Sequence, residues 1–527
     1  MRRMRIRFIG RGGTLEEGAL PDVLAALSRD EVESFPALRP HQRQAWHCFL
    51  VQVGTLALRA ADADDLPKDA ESWRSLLLGL TPDFPNGDPW ELVVEDRDLP
   101  ALLQPPGMPG VGGKGTRLER SPDAIDMLLT GRNHDVKGDR VAAAQEDDWL
   151  FALVTLQTLE GQMGAGNPGI SRMNGGYGAR VQLGLRWLPY RWGTAFERDV
   201  RTLLERWASL AERSPVDGDV ALTWLLPSDG QKSIGTKGLD PLYIDCCRRV
   251  RLLPGSDGTL CALVTGSKVP RVDAKAMNGV TGDPWAPTLA DGSKSWGVTG
   301  EGFGYRRMAT LLSAEDVDLP LLALPTERDF GRNVALYACA IARGQGKTEG
   351  LHERSIPMPT RAVRRFGRPE GRVDIAREAE ARRDAAGGAQ GILRHALFAL
   401  FQGGPEGRPR LDDDATKAKV VAVLHDFDVE VDHVFFDANF WEVLDDAGER
   451  PTDPEARARR WRRVLRDIVR TVFARAAESA PRTRMRYHRA LARSTSILEG
   501  RLARFLDPAG DDEKSPPAHA GATVSGH

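Results

Sequence analysis

No stretch of this sequence approaches the ~20 consecutive apolar residues that a bilayer-crossing helix needs, so a membrane-spanning protein is not expected. Cysteine is scarce. Cys48, Cys246, Cys247, Cys261 and Cys339 form no Cys-x-x-Cys pair and no Cys/His ligand spacing. That argues against a zinc site and for reduced, buried thiols; no metal or cofactor is expected. The first ten residues are basic, but their apolar part is too short for a secretory signal, which places the chain in the cytoplasm. An excess of one charge is also missing: 72 Lys and Arg stand against 74 Asp and Glu, a net charge of −2. The whole-chain charge therefore does not mark a nucleic-acid binder.

What is present fits a globular protein: 41% hydrophobic and 28% charged residues over 527 positions. That length predicts two or three domains. Residues 5–8 and 260–265 read as strands, and 220–226 as a further strand-like piece. Helical spacing runs through 20–27, 41–61, 73–80, 148–161 and 194–213. In 41–61, Trp46, Phe49, Leu50, Val53, Leu56 and Ala57 recur at steps of three and four. Residues 122–130 predict a helix capped by Ser121 with Pro122 at its first position. Residues 82–122 are rich in Pro and Gly and read as irregular, and 333–342 is apolar enough for strand or helix.

Past Pro369 the Gly and Pro thin out. Amphipathic patterns over about 374–403, 414–446, 454–479 and 482–506 predict four helices, and their short connections suggest an antiparallel bundle. The expected fold is therefore an α+β N-terminal domain with irregular loops (1–366), a C-terminal four-helix bundle (367–506) and a disordered tail (507–527). Charge is one-sided within the bundle: 450–504 holds 16 Arg against 5 Asp or Glu. Such a segment is either a set of solvated helix faces or a contact surface for nucleic acid or an acidic partner.

Three loops carry possible chemistry. The first is Arg343-Gly-Gln-Gly-Lys-Thr-Glu-Gly350, which imitates a phosphate-binding loop. Such a loop needs Gly-x-x-x-x-Gly-Lys-Ser/Thr followed by a helix. Here Ile341 stands at the first Gly, proline follows at 357, and the acidic-strand imitation at 420–426 lies in a helical pattern. A plain turn, a loop aimed at nucleic acid and a P-loop-like NTPase acting on nucleic acid remain as readings. The second is the glycine-dense loop 164–178, a connector or a surface that lets backbone approach a DNA groove. The third, 132–140, sets His134 and Asp135 beside Asn133, and Arg132, Lys137 and Arg140 toward phosphate. No catalytic set emerges. Glu160, His352 and Glu353 read as structural.

At these loops the sequence resembles the CasA family, the large subunits of the type I-E CRISPR complex Cascade. The resemblance runs, with gaps, over most of 20–505. It rests on the order of Asn133-His-Asp-Val-Lys137, Leu156-Gln-Thr158, Ser171-Arg-Met-Asn-Gly-Gly176, Asn278-Gly279, Pro284-Trp285, the 344–350 turn and the C-terminal helices. Residues 5–10 lack the Trp-Ile-Pro segment of many members, and the cysteines do not reproduce the paired cysteines of some.

The resemblance implies a non-catalytic, RNA-guided antiviral ribonucleoprotein subunit. Its partners would be other Cascade subunits, the CRISPR guide RNA, double-stranded target DNA and a helicase–nuclease. It would recognise the protospacer-adjacent motif (PAM) from the minor groove. The glycine loop falls on Gly164, Gly166 and Asn167; the duplex wedge on Gln345, Gly346 and Lys347; the basic groove residue on Arg271 or Lys275; and the docking loop on Asn133, Lys137 and Arg140. Physically, a minor-groove reader tolerates several motifs, and a wedge costs a few kcal/mol of unstacking that seeds guide pairing.

Overall fold

The computed structural model describes the chain except for residues 1–3, 111–112, 114, 127–140, 142, 174–179, 256–257, 345–346, 445–452, 481–483 and 508–527; at 343–344, 347–349 and 484–485 it describes backbone alone. The chain divides into two compact units, residues 1–373 and 374–527.

The first unit is built around the Arg43–Ala60 helix, which is apolar on nearly every side and therefore buried. Trp46 stacks on Phe49 at 5.7 Å and meets Phe151 of the Glu146–Leu159 helix edge-on at 5.1 Å. Phe35 closes the same cluster against Trp46 and Trp192. Around this core lie small sheets. Ile6–Gly10 pairs with Leu15–Gly18 and Val32–Ser34. Thr116–Glu119, Leu260–Thr265 and Arg249–Pro254 form a second sheet. The third sets Val334–Gly344 between Lys347–Met358 and Gln182–Trp187, all antiparallel.

Several elements depart from the pattern-based reading. The apolar run at 333–342 is strand. The helix expected over 194–213 breaks at Arg206 (φ −110°, ψ 23°) into Trp192–Glu205 and Trp207–Arg213. There the Arg206 guanidinium donates to the carbonyls of Leu321, Leu324 and Pro325 at 3.3, 3.1 and 2.5 Å. Ser121 does cap a turn, accepting from the Asp123 amide at 3.3 Å, but only Pro122–Ala124 is helical, as a 3₁₀ turn. The strand expected at 220–226 ends at Leu222 and passes into a 3₁₀ turn.

The second unit is helical: Pro369–Phe401, which begins in the first unit, then Asp414–Val434, Pro454–Glu478 and Arg484–Leu506. Asp413 and Asp453 cap their helices, accepting from the amides of Thr416 and Glu455, each at 3.1 Å. Val420, Phe427 and Val431 line one face of the second helix, and Trp461, Leu465, Val469 and Val472 one face of the third; both faces are buried. Phe435 meets Trp461 edge-on at 5.7 Å. The helix expected to reach 446 stops at Val434, because Asp437 accepts from the Phe440 amide at 2.9 Å and starts a separate 3₁₀ turn, Phe440–Leu444.

All five cysteines are buried and unbridged. Burial pushes the Cys247 thiol up to about 12. No described helix is long and apolar enough to cross a membrane.

Candidate nucleic-acid interface

The glycine loop leaves the Glu146–Leu159 helix at Glu160. Within it the Met163 amide donates to the Asn167 carbonyl at 2.9 Å, and the Asn167 amide returns to Gly164 at 3.2 Å. Gly164 (φ +80°) and Gly166 (φ +82°) occupy the left-handed region, which is why glycine stands at both. Gly164 is exposed, with open space where a side chain would begin. Gly166 instead lies against another glycine: its carbonyl accepts from the Ser267 amide at 2.9 Å, and a Cβ on it would sit 3.7 Å from the Gly266 Cα.

The far end of the loop is pinned by buried polar groups. The Asp245 carboxylate accepts from the Ser171 amide at 2.8 Å and the Ser171 hydroxyl at 2.6 Å, and the Tyr243 hydroxyl meets Ser171 Oγ at 2.5 Å. Arg172 lies over the Tyr243 ring at 3.9 Å and donates to the Tyr243 carbonyl at 2.8 Å. Burial raises Asp245 above the usual carboxylate range against the pull of Ser171, and pushes the Tyr243 phenol up to about 12. These groups hold the loop's shape.

The second feature is the hairpin. Its register runs from Val334↔Met358 to Gly344↔Lys347, so the two-residue segment Gln345-Gly346 connects the strands. One extra residue, Glu349, sits between the pairs Ala342↔Gly350 and Arg343↔Thr348, and Gly350 has φ +134°. Such a bulge increases local twist. Gln182–Trp187 pairs only from Val334 to Cys339, so the last part of the hairpin runs on as a two-stranded ribbon. At its base Arg186 lies 3.1 Å over the Tyr337 ring, and the Tyr337 hydroxyl donates to Glu353.

No family model matches this sequence, and no curated protein matches it. Solved structures do match. The chain resembles Thermus thermophilus CasA at 16% identity and a TM-score of 0.63, over 96% of this chain and 98% of that one. It resembles Cse1, a CRISPR-associated protein from Acidimicrobium ferrooxidans, at 15% identity and 0.61, over 98% of each chain. It resembles Thermobifida fusca Cse1 at 14% identity and 0.54, over 96% and 98%. The fold is that of CasA/Cse1.

Within this CasA/Cse1 fold the residues singled out from sequence fall into four groups. Gly164, Gly166 and Asn167 share one tight turn. Gln345 and Gly346 lie outside the described residues, while the backbone of Lys347 forms the last pair of the hairpin. Asn133, Lys137 and Arg140 lie outside the described residues. Lys347 is followed by strand to Met358, so the strand–loop–helix context of a phosphate-binding loop is absent there. Residues 420–426, the imitation of an acidic strand, lie inside the Asp414–Val434 helix.

Of the two basic candidates, Arg271 is buried. Its guanidinium donates to the carbonyls of Pro227 at 2.8 Å and of Thr223 and Leu226 at 2.7 Å, and burial lowers its pKa. It holds the 223–227 turn and does not face a groove. Lys275 is exposed on the 3₁₀ turn Lys275–Met277. A third cation was missed. Lys268 is exposed two residues from the Gly266 that touches the glycine loop, and its amide donates to the Gly230 carbonyl at 2.8 Å. The signal in sequence was a Gly-Ser-Lys turn directly after the 260–265 strand.

Proposed function

We infer that this chain is the non-catalytic large subunit of a type I-E CRISPR Cascade complex, working in the cytoplasm. It would read the PAM of double-stranded target DNA from the minor groove, start duplex opening for guide RNA pairing and help recruit the helicase–nuclease. One observation carries the reading: the CasA/Cse1 fold matches end to end, over 96–98% of this chain and 98% of each relative. In this reading the glycine loop brings bare backbone to the groove floor, with Lys268 beside it. The Gln345–Lys347 tip is the wedge, Asn133–Arg140 dock the subunit near the guide, and the C-terminal helices act as a bundle against neighbouring subunits.

The test is binding of reconstituted Cascade to a target duplex and to a bubble of the same sequence. Lys347→Ala and Gln345→Ala, taken separately, should weaken duplex binding by about tenfold, roughly 1.4 kcal/mol, and leave bubble binding and subunit assembly intact. Equal defects on both substrates would sink the wedge role. Saturable micromolar ATP binding by the purified chain, lost in Lys347→Ala, would overturn the binding-subunit reading in favour of an NTPase.

A further inference from the structure

The Arg-rich C-terminal segment splits into two kinds of arginine. On the Pro454–Glu478 helix several guanidiniums face carboxylates: Arg457 pairs with Glu378 at 3.4 Å, Arg470 with Glu499 at 2.6 Å, Arg475 with Glu430 at 2.7 Å, and Arg460 with Glu442. Each of these four has a carboxylate partner on the protein itself. On the Arg484–Leu506 helix, Arg493, Arg501 and Arg504 are exposed, and none forms an ion pair among the described residues.

These three arginines, with Arg408 from the 402–413 connection, line a groove of about 880 Å³. His395 adds a further titratable group, and Glu406 is the one carboxylate in the lining. The connection is held close to the helix: the Arg493 guanidinium donates to the Glu406 carbonyl, and a Cβ on Gly404 would meet the Arg489 carbonyl at 2.8 Å. The floor is low because Ser496 and Gly500 occupy the helix between the arginines, and Ile497 and Leu411 give it half-buried apolar patches.

We propose that this groove binds the phosphate backbone of a single strand of nucleic acid. Arg493 to Arg504 spans about 16 Å along the helix at ~1.5 Å per residue. That is long enough to meet several consecutive phosphates of one strand. Guanidinium forks match phosphate oxygens in pairs, and a row of them along one helix face matches a polymer of uniform, evenly repeated charge. Confinement between a loop and a helix suits one strand rather than a duplex, with Ile497 and Leu411 available to the base faces. The site lies wholly in the second unit and does not depend on the hairpin or on PAM reading.

The experiment measures anisotropy of a short labelled oligothymidine with the full chain across a salt series. Each neutralised phosphate of a single strand contributes about −0.7 to the log–log salt slope. The triple variant Arg493→Ala, Arg501→Ala, Arg504→Ala should therefore flatten the slope by about 2 and weaken binding by at least about tenfold at low salt. Arg408→Ala alone should flatten it by about 0.7. A control at the paired arginines, Arg470→Ala with Arg475→Ala, should leave the slope in place. Circular dichroism melting should show all these variants folded, since the substituted side chains are exposed. An unchanged slope in the triple variant, or an equal loss in the control, would overturn the site. So would competition by oligoglutamate as strong as that by inorganic polyphosphate of equal charge, which would mark the groove as a seat for an acidic protein.

Discussion

In the first unit Arg180, Arg198, Arg251 and Arg271 are buried and bonded, whereas Arg493, Arg501 and Arg504 of the last helix stand on the surface. Arg251 donates to the carbonyls of Leu99, Val94 and Asp96 at 3.0, 2.7 and 2.7 Å, and burial lowers its pKa to about 10. Arg271 does the same for three other carbonyls. Irregular backbone leaves carbonyls without ladder partners, and a buried guanidinium with five donors satisfies several at once. The difference teaches that counting basic residues does not locate a polyanion surface. Around Arg251 and Arg271 arginine replaces missing secondary structure, while on the last helix three arginines are left over for an outside partner.

Five substitutions would break or sharpen that contrast. Arg198 donates to Asp329 at 3.1 Å, to Asp199 at 2.9 Å and to the Leu322 carbonyl at 2.8 Å, all buried. Arg198→Ala removes the buried guanidinium that Asp199 and Asp329 share and should cost about 4 kcal/mol, read as a shift of the urea midpoint; a loss below about 1 kcal/mol would end the argument for buried arginine as a structural tie. Next comes Asp283→Asn, expected to cost about 3 kcal/mol at neutral pH by leaving Arg180 buried without its 2.7 Å partner.

Asp283 also fixes a pH dependence. Burial, the largest single influence, would raise its pKa, but Arg180, Arg172 and the Trp285 amide together outweigh it and hold the carboxyl below its ordinary value. The folded pKa lies under the unfolded one, so this stability is complete above the ordinary carboxylate range and disappears as pH falls through the lower, folded value. Unfolding of Asp283→Asn at neutral and acid pH should show a flatter acid limb than the parent chain. If the two limbs run parallel, the pair does not contribute.

A smaller effect separates the two basic candidates. Arg271→Ala should cost about 2 kcal/mol by leaving buried carbonyls unpaired, while Lys275→Ala should change stability by less than about 0.5 kcal/mol. Comparable melting shifts for both would mean that Arg271 is not a structural residue. Smallest is Arg470→Ala: its pair with Glu499 is solvent-exposed and worth no more than about 0.5 kcal/mol, a change that thermal melts should barely register.

Much of this was readable in advance where structure is local. The helical spacing of 43–60 and the caps at Asp413 and Asp453 lie within a few residues of the elements they define. Of the turn expected at 344–350, Gly344 and 347–350 are strand, and Gln345 and Gly346 lie outside the described residues. What sequence hid was set by distant partners. The run Ala340-Ile341-Ala342 is apolar at every position, so period alone could not separate strand from helix; pairing of the whole run with 350–358 decided it. The Arg206 break depends on carbonyls at 321–325, and the burial of Arg271 on the path of 223–227. Lys268 comes beside Gly166 only because the 260–265 strand ends there.

The hydrogen bond from Ser267 to Gly166 joins positions about one hundred residues apart, and that from Ser171 to Asp245 spans 74. Beyond its own turn at 163–167, a loop held this way has no local means of reaching its full shape. Contacts of such separation form late, after the intervening chain has collapsed. The glycine loop is therefore among the last parts of the first unit to mature, and a peptide carrying 160–173 alone would not adopt it. In a nascent chain the site stays unformed until synthesis has passed Ser267, so truncated products expose the residues without the surface.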